Sequence, residues 1–154
     1  LKPYIFIQPF YSGSSSSMLR SYPYFSELIH KIKEDFPKLT IAVAPGKNEI
    51  HLAKKLPVSI VLDNDKPTSI PQLIRVIHDS FYFISLDSSA AHIASHLRKK
   101  GRVICGKHSK TPNEIGIEND HLKAIYYPDN ELSEIRPEAI YSIIRPELIN
   151  LIEG

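Results

Sequence analysis

The sequence predicts one α/β domain built on a mainly parallel sheet, with its ligand-binding surface at the carboxyl ends of the strands. Short apolar runs alternate with amphipathic segments along most of the chain, which is the rhythm of βαβ units. The 154 residues lie near the commonest domain size, and neither an internal repeat nor a second domain is visible in residues 1–154. A hydrophobic share of 42% with 23% charged residues is globular composition, with apolar surface enough for a core.

Residues 4–8, Tyr-Ile-Phe-Ile-Gln, read as the first strand, and residues 9–21 as a long loop containing Gly13 and four serines in a row. Pro23 suits the first turn of a helix in which Phe25, Leu28, Ile29 and Ile32 recur at helical spacing, and Pro37 stops it. Residues 39–44 form a second strand closed by Pro45-Gly46, residues 49–56 a short helix, and residues 58–62 a third strand. A polar loop over 63–69 ends at Ser69, placed to cap a helix whose stripe is Leu73, Ile74 and Ile77. Residues 81–86 are the fourth strand, apolar except for Ser85, and Asp87-Ser88-Ser89 turns into an Ala-rich helix reaching Leu97. Gly101 is expected to break that helix before a fifth strand at 102–105. Residues 106–123 read as irregular and polar, residues 124–127 as a sixth strand, and residues 137–152 as one or two helices interrupted at Pro146.

Charge narrows the function classes. With 19 basic and 17 acidic residues the formal net charge is +2, and the seven histidines are scattered, so no basic footprint for nucleic acid or an anionic membrane is present. The one cysteine, Cys105, lies in an apolar run and reads as a buried thiol. Without a disulfide framework a reducing, cytoplasmic setting is expected. No apolar stretch approaches the roughly 20 residues a spanning helix needs. No signal peptide is read at the start, and because the first residue is Leu1 rather than Met the chain is expected to be processed or excised from a longer one.

In a parallel sheet, ligands bind where strand ends lead into helix N-termini. The sharpest such junction is Asp87-Ser88-Ser89-Ala90-Ala91-His92. Small residues let a ligand approach the backbone, and the first helical N–H groups and the helix dipole favour phosphate. Asp87 is placed to accept from sugar hydroxyls or to orient the loop. Asp-Ser-Ser before a helix is also an ordinary N-cap, and His92, one turn in, is equally an inward-facing structural histidine. The loop over 11–23 is a second candidate, with Arg20 to meet phosphate charge, against the alternative of a solvated loop. The third is Gly46-Lys47-Asn48-Glu49, where Glu49 has the geometry to hold ribose hydroxyls or simply complements the helix dipole.

These loops, in this order, resemble the C-terminal domain of the heptosyltransferase family (glycosyltransferase family 9). That family reads strand, Gly-containing loop, Lys-x-Trp-Pro, helix; then strand, Gly, nearby Glu; then strand, Asp-Ser/Thr-Gly-x-x-His, helix. Arg20-Ser21-Tyr22-Pro23 stands where Lys-x-Trp-Pro would be, Gly46 to Glu49 matches the second element, and residues 87–92 match the third, with Ser89 at the Gly position. Cys105-Gly106 followed by Thr111-Pro112 is similar to the family's Gly-x-Thr-x-Pro turn, stretched by insertion.

The resemblance implies a Rossmann-like sheet with helices on both faces, one half of a two-domain GT-B glycosyltransferase. It implies an inverting, metal-independent transferase that uses a sugar nucleotide, commonly ADP-heptose, as substrate and needs no cofactor. Arg20 would offset pyrophosphate charge, Glu49 would hold the ribose, Ser88 and Ser89 would cradle phosphate, and Asp87 and His92 would complete the site. No catalytic residue is expected in residues 1–154, because the resemblance places the base in an N-terminal acceptor-binding domain. The chain alone would therefore bind without transferring. The implied acceptor is a glycan or glycolipid such as lipopolysaccharide core, met in the cytoplasm or peripherally at the inner membrane through the full-length protein. Two alternatives stand beside this reading: a degenerate relative that serves as a binding module without transfer, and an unrelated flavodoxin-like domain with the same βα rhythm.

Overall fold

The computed structural model describes residues 3–10, 22–46, 49–61, 66 and 68–154. Among them six strands form one sheet: β1 (Tyr4–Gln8), β2 (Thr40–Val43), β3 (Ile60–Val61), β4 (Tyr82–Leu86), β5 (Gly101–Cys105) and β6 (Leu122–Tyr126). The helices are α1 (Phe25–Asp35), α2 (Ile50–Ala53), α3 (Ile70–Asp79), α4 (Ser89–His96), α5 (Pro112–Ile115) and α6 (Pro137–Glu153). The sheet order is β3-β2-β1-β4-β5-β6, and every neighbouring pair is parallel. This is the doubly wound Rossmann order, and the strand sequence reverses direction between β1 and β4.

Strands covered on both faces need apolar side chains at nearly every position. All five residues of β4 are buried, Ser85 included. Its hydroxyl is accommodated because Oγ donates to the Leu86 carbonyl at 2.7 Å. The two-residue period of β1 sends Ile5 and Ile7 into one core and Phe6 into the other. The first core is closed by α1 and α6, through Leu28, Ile29, Ile32, Ile140, Ile144 and Leu148. Each such buried aliphatic side chain stabilises by about 1.5–3 kcal/mol. The second core is closed by Leu73 and Ile77 of α3 and by Ala90, Ala91 and Ala94 of α4. Alanines let α4 lie close to the sheet, over the stacked rings of Phe6 and Phe83, whose centroids are 5.8 Å apart.

The structure corrects four expectations. Ile74 does not join the buried stripe of α3; it is 41% exposed, and Leu73 and Ile77 carry the packing. Gly101 does not break α4 but opens β5. A Cβ there would sit 2.0 Å from the Phe83 carbonyl oxygen, so the close approach of β5 to β4 demands glycine. The turn out of α4 is made instead at Arg98, with a φ of 56°. Residues 106–123 are not irregular throughout. Thr111 caps α5 by accepting from the Glu114 N–H at 3.3 Å, Gly116 ends it at a φ of 73°, and β6 already begins at Leu122. Finally, α6 runs through Pro146 without a break. Proline has no N–H for the carbonyl of Ser142, yet the helix continues because Ile144 and Leu148 are buried on either side. Ser69 caps α3 as expected, in a reciprocal box with Gln72.

Candidate functional site

The strand order reverses between β1 and β4, and in doubly wound proteins the ligand crevice lies outside the carboxyl edge of the sheet at that point. β1 reaches this edge at Gln8, β4 at Leu86, and β5 at Cys105. The connection from β4 to α4 is only two residues long, Asp87 and Ser88, so the N-terminus of α4 is held directly over the crevice. The N–H groups of its first residues, Ser89 and Ala90, have no carbonyl within the helix to bond, and the dipole favours negative charge there.

Ser88 is the N-cap residue, in extended conformation, but its side chain makes no capping bond. Its Oγ is buried and has no hydrogen-bond partner. An ordinary N-cap does not leave its hydroxyl so. Ser89 is exposed and helical, and among the described residues Arg98 is the one non-glycine with positive φ. The position occupied by glycine in the resembling motif thus needs no left-handed conformation here. Asp87 is half-buried, and its charge is felt at Cys105. Burial first, and Asp87 second, push the Cys105 thiol up to about 12, so it is a protonated core group.

Glu49 is 8% exposed and stands at the start of α2. Its Oε1 accepts from the Gly46 N–H at 2.8 Å, and its own N–H donates to the Gly46 carbonyl at 3.0 Å. These two bonds hold the Glu49 carboxylate against Gly46. β2, which leads to Glu49, is two places from β4 in the sheet, or about 10 Å. His92 is exposed on α4, so it is not the inward-facing structural histidine that was the alternative. It lies three residues beyond Ser89, on the same face of the helix. Arg20 lies outside the described residues. Tyr22, at the Trp position of the resembling motif, is a core residue: it is buried, donates to the Ile135 carbonyl at 2.8 Å and meets Phe25 edge to face.

Sequence reading missed two features of this edge. Gln8 ends β1 with its Oε1 buried and unpaired; the one local signal was a polar residue closing an apolar strand. Lys107 and His108, in the loop after β5, clasp Glu131 at 3.0 Å and 2.8 Å. The hydrogen bond from Lys107 foremost holds the Glu131 carboxyl below its usual range. The basic residues after Gly106 were the visible signal, but Glu131 is too distant in sequence to be read as their partner. Among the described residues no three His, Cys, Asp or Glu side chains come together as metal ligands.

The all-parallel sheet and its strand order define a Rossmann-like α/β fold, the GT-B type of architecture of the solved structures it matches. Among solved structures, the chain is similar to E. coli heptosyltransferase WaaC with ADP, at a TM-score of 0.76 and 20% identity, covering 93% of this chain and 43% of that one. The same enzyme with ADP-2-deoxy-2-fluoro heptose gives 0.75 and 18%, over 94% and 43%. The glycosyl transferase family 9 protein from Veillonella parvula DSM 2008 matches at 0.70 and 14%, over 99% and 47%. Methanocaldococcus jannaschii UDP-GlcNAc 2-epimerase, in complex with UDP-GlcNAc and UDP, matches at 0.60 and 11%, over 95% and 38%. No protein-family model matches the sequence and no curated protein does. At these identities the likeness is one of fold, and the chain spans less than half the length of the proteins it matches.

Proposed function

We propose that this chain is the donor-binding half of an inverting, metal-independent heptosyltransferase-like glycosyltransferase, binding a nucleoside diphosphate sugar, ADP-heptose foremost. The observation that carries the reading is Ser88, with its buried, unpartnered hydroxyl beside the N-terminus of α4 at the reversal of the strand order. A phosphate oxygen is the natural partner for a hydroxyl and free helical N–H groups at one point. The fold adds support, since the similar WaaC structures hold ADP and an ADP-sugar. The same fold in an epimerase is a reminder that architecture alone does not select the reaction.

In this reading α4 and Ser88 bind the pyrophosphate, and Glu49 holds the ribose through Oε2. Asp87 faces the sugar hydroxyls, because facing phosphate would set two negative charges together. Ser89, His92 and Arg20 complete the donor site. Stabilising the departing nucleoside diphosphate is then the chain's contribution to the barrier. The general base that deprotonates the acceptor hydroxyl belongs to an N-terminal acceptor domain, as does recognition of a glycan or glycolipid of the lipopolysaccharide-core type. The chain by itself binds and does not transfer.

Isothermal titration with ADP, UDP, ADP-mannose (as an available ADP-sugar) and free mannose tests the reading. Binding of the two ADP compounds in preference to UDP and free mannose is expected. No ADP binding up to millimolar concentration would abandon it. The second reading, a degenerate binding module without transfer, is favoured by the side chain of Ser89 standing exposed where the resembling motif has glycine. It predicts that Ser89→Gly strengthens ADP binding.

A further inference from the structure

We infer that Gln8 is a hydroxyl-reading residue of the same crevice, selecting a sugar hydroxyl next to the phosphate position; this rests on the nucleotide-sugar reading above. Among the described residues, two buried side-chain polar atoms lack a hydrogen-bond partner: Gln8 Oε1 and Ser88 Oγ. Both lie at the carboxyl edge beside the reversal of the strand order, Gln8 as the last residue of β1 and Ser88 two residues past the end of β4. Orphaned polar atoms of an otherwise satisfied structure are expected to be scattered if they are accidents of packing, and these are not.

The placement follows from the sheet. Gln8 pairs in register with Ser85, and the alternation of β1 puts it on the same face as Phe6, the face that α4 covers. Ser85 does not serve it, because the Ser85 hydroxyl is committed to the Leu86 carbonyl. Gln8 stands opposite Ser85, and Ser88 lies three residues further along the chain, about 10 Å at most, which is the span of a ribose and its phosphate.

The two atoms ask for different partners. A serine hydroxyl donates readily to a phosphate oxygen. A carboxamide carbonyl needs a donor, which a fully ionised phosphate lacks. If the amide is turned, its NH2 donates instead, and a hydroxyl group satisfies either orientation because it both donates and accepts. The ligand that fits the pair therefore carries a hydroxyl close to a phosphate. β1 lies between β2, which leads to Glu49, and β4, which leads to Ser88. That order puts Gln8 between the ribose and phosphate positions, so the ribose of the nucleotide is the assigned source of the hydroxyl.

Gln8→Leu, with Gln8→Met as a second variant closer in shape, tests this by affinity and by melting without ligand. The unliganded variants are expected to melt at or above the wild-type temperature, since an unpaired buried polar group has been removed. Affinity for ADP is expected to fall about tenfold, while affinity for 2′,3′-dideoxy-ADP falls much less. A loss seen with ADP-mannose and not with ADP moves the hydroxyl to the transferred sugar and keeps the role of Gln8. Wild-type affinity for both ADP and ADP-mannose in the variants overturns the inference and leaves the nucleotide reading intact. An equal loss for ADP and its dideoxy form also overturns it, as an effect of shape. Failure of the wild-type protein to bind either ligand overturns both.

Discussion

Tyr82, at the start of the central strand β4, donates its phenolic proton to Glu147 Oε1 of the last helix at 2.6 Å. Arg102 of β5 closes on the same carboxylate, with Nε 3.1 Å from each oxygen. The three residues tie α6 to the neighbouring strands β4 and β5 at the amino end of the sheet, opposite the crevice, so they act on stability and not on ligand. Burial alone would raise the Glu147 carboxyl, but the bonds from Arg102 and Tyr82 prevail and hold it below the usual range.

Glu147→Gln should therefore cost about 1–3 kcal/mol, less than the 3–5 kcal/mol of a fully buried pair, because both side chains keep some solvent contact. For a chain of this size that lowers Tm by roughly 3–9 °C. The pH dependence has a definite sign. A carboxylate depressed in the folded state stabilises fully above its unfolded pKa, near 4.3, and that stability is lost as pH falls through the folded pKa. Thermal melts between pH 7 and pH 3 should show a smaller loss of Tm in the variant than in the wild type. Parallel curves would remove Glu147 from this role.

Two glycines separate close approach from backbone freedom. At Gly101 an added Cβ meets the Phe83 backbone, whereas at Gly116 nothing lies within 4 Å and the φ of 73° is the sole obstacle. Gly101→Ala is expected to cost about 3 kcal/mol or more by forcing β5 from β4, and Gly116→Ala about 1–2 kcal/mol. Urea denaturation of both variants checks the ranking, and equal losses would contradict it.

These glycines also mark how far the sequence could be read. The bounds of β1 were legible to the residue, because an apolar run closed by a polar residue and Pro9 leaves little choice. The other strands were placed within a residue or two for the same reason. Gly101 was misread because a helix-breaking glycine and a close-contact glycine look alike until the neighbouring strand is known. Pro146 was misread because the burial of Ile144 and Leu148 overrides a local rule. α5 is too short for its Pro-Asn-Glu-Ile to show a period. At the crevice, Asp87-Ser88-Ser89 announced a helix N-terminus, but the orphan oxygen of Gln8 arises from strand pairing and burial, which no local pattern carries.

Cys105 gives a prediction independent of ligand. With its thiol pushed up to about 12 by burial foremost, and its side chain in the core beneath α4, Cys105 stays protonated at pH 8, whereas thiolate is the reactive form. Alkylation of the native protein by iodoacetamide at pH 8 should be negligible over hours and complete within minutes in guanidinium. Ready native labelling would mean that α4 lifts from the sheet on that timescale.

Asp87 provides the sharpest test of the site. It joins the fully buried strand β4 to α4, so any ligand seated on the helix N-terminus lies within reach of its loop. A carboxylate beside a pyrophosphate is repelled, so the proposed function has Asp87 accept from the hydroxyls of the transferred sugar. Asp87→Asn keeps the shape and removes the charge. ADP, which has no transferred sugar, should bind the variant as well as the wild type or more tightly, because a repulsion is gone. ADP-mannose should bind about tenfold more weakly, or 1.4 kcal/mol, because charged acceptors hold hydroxyls better than neutral ones. Asn occupies N-terminal turns nearly as well as Asp, so Tm should move little. Titration of both ligands against both proteins reads the difference directly. If the two affinities change in parallel, Asp87 only shapes its loop, and the sugar is held by other residues.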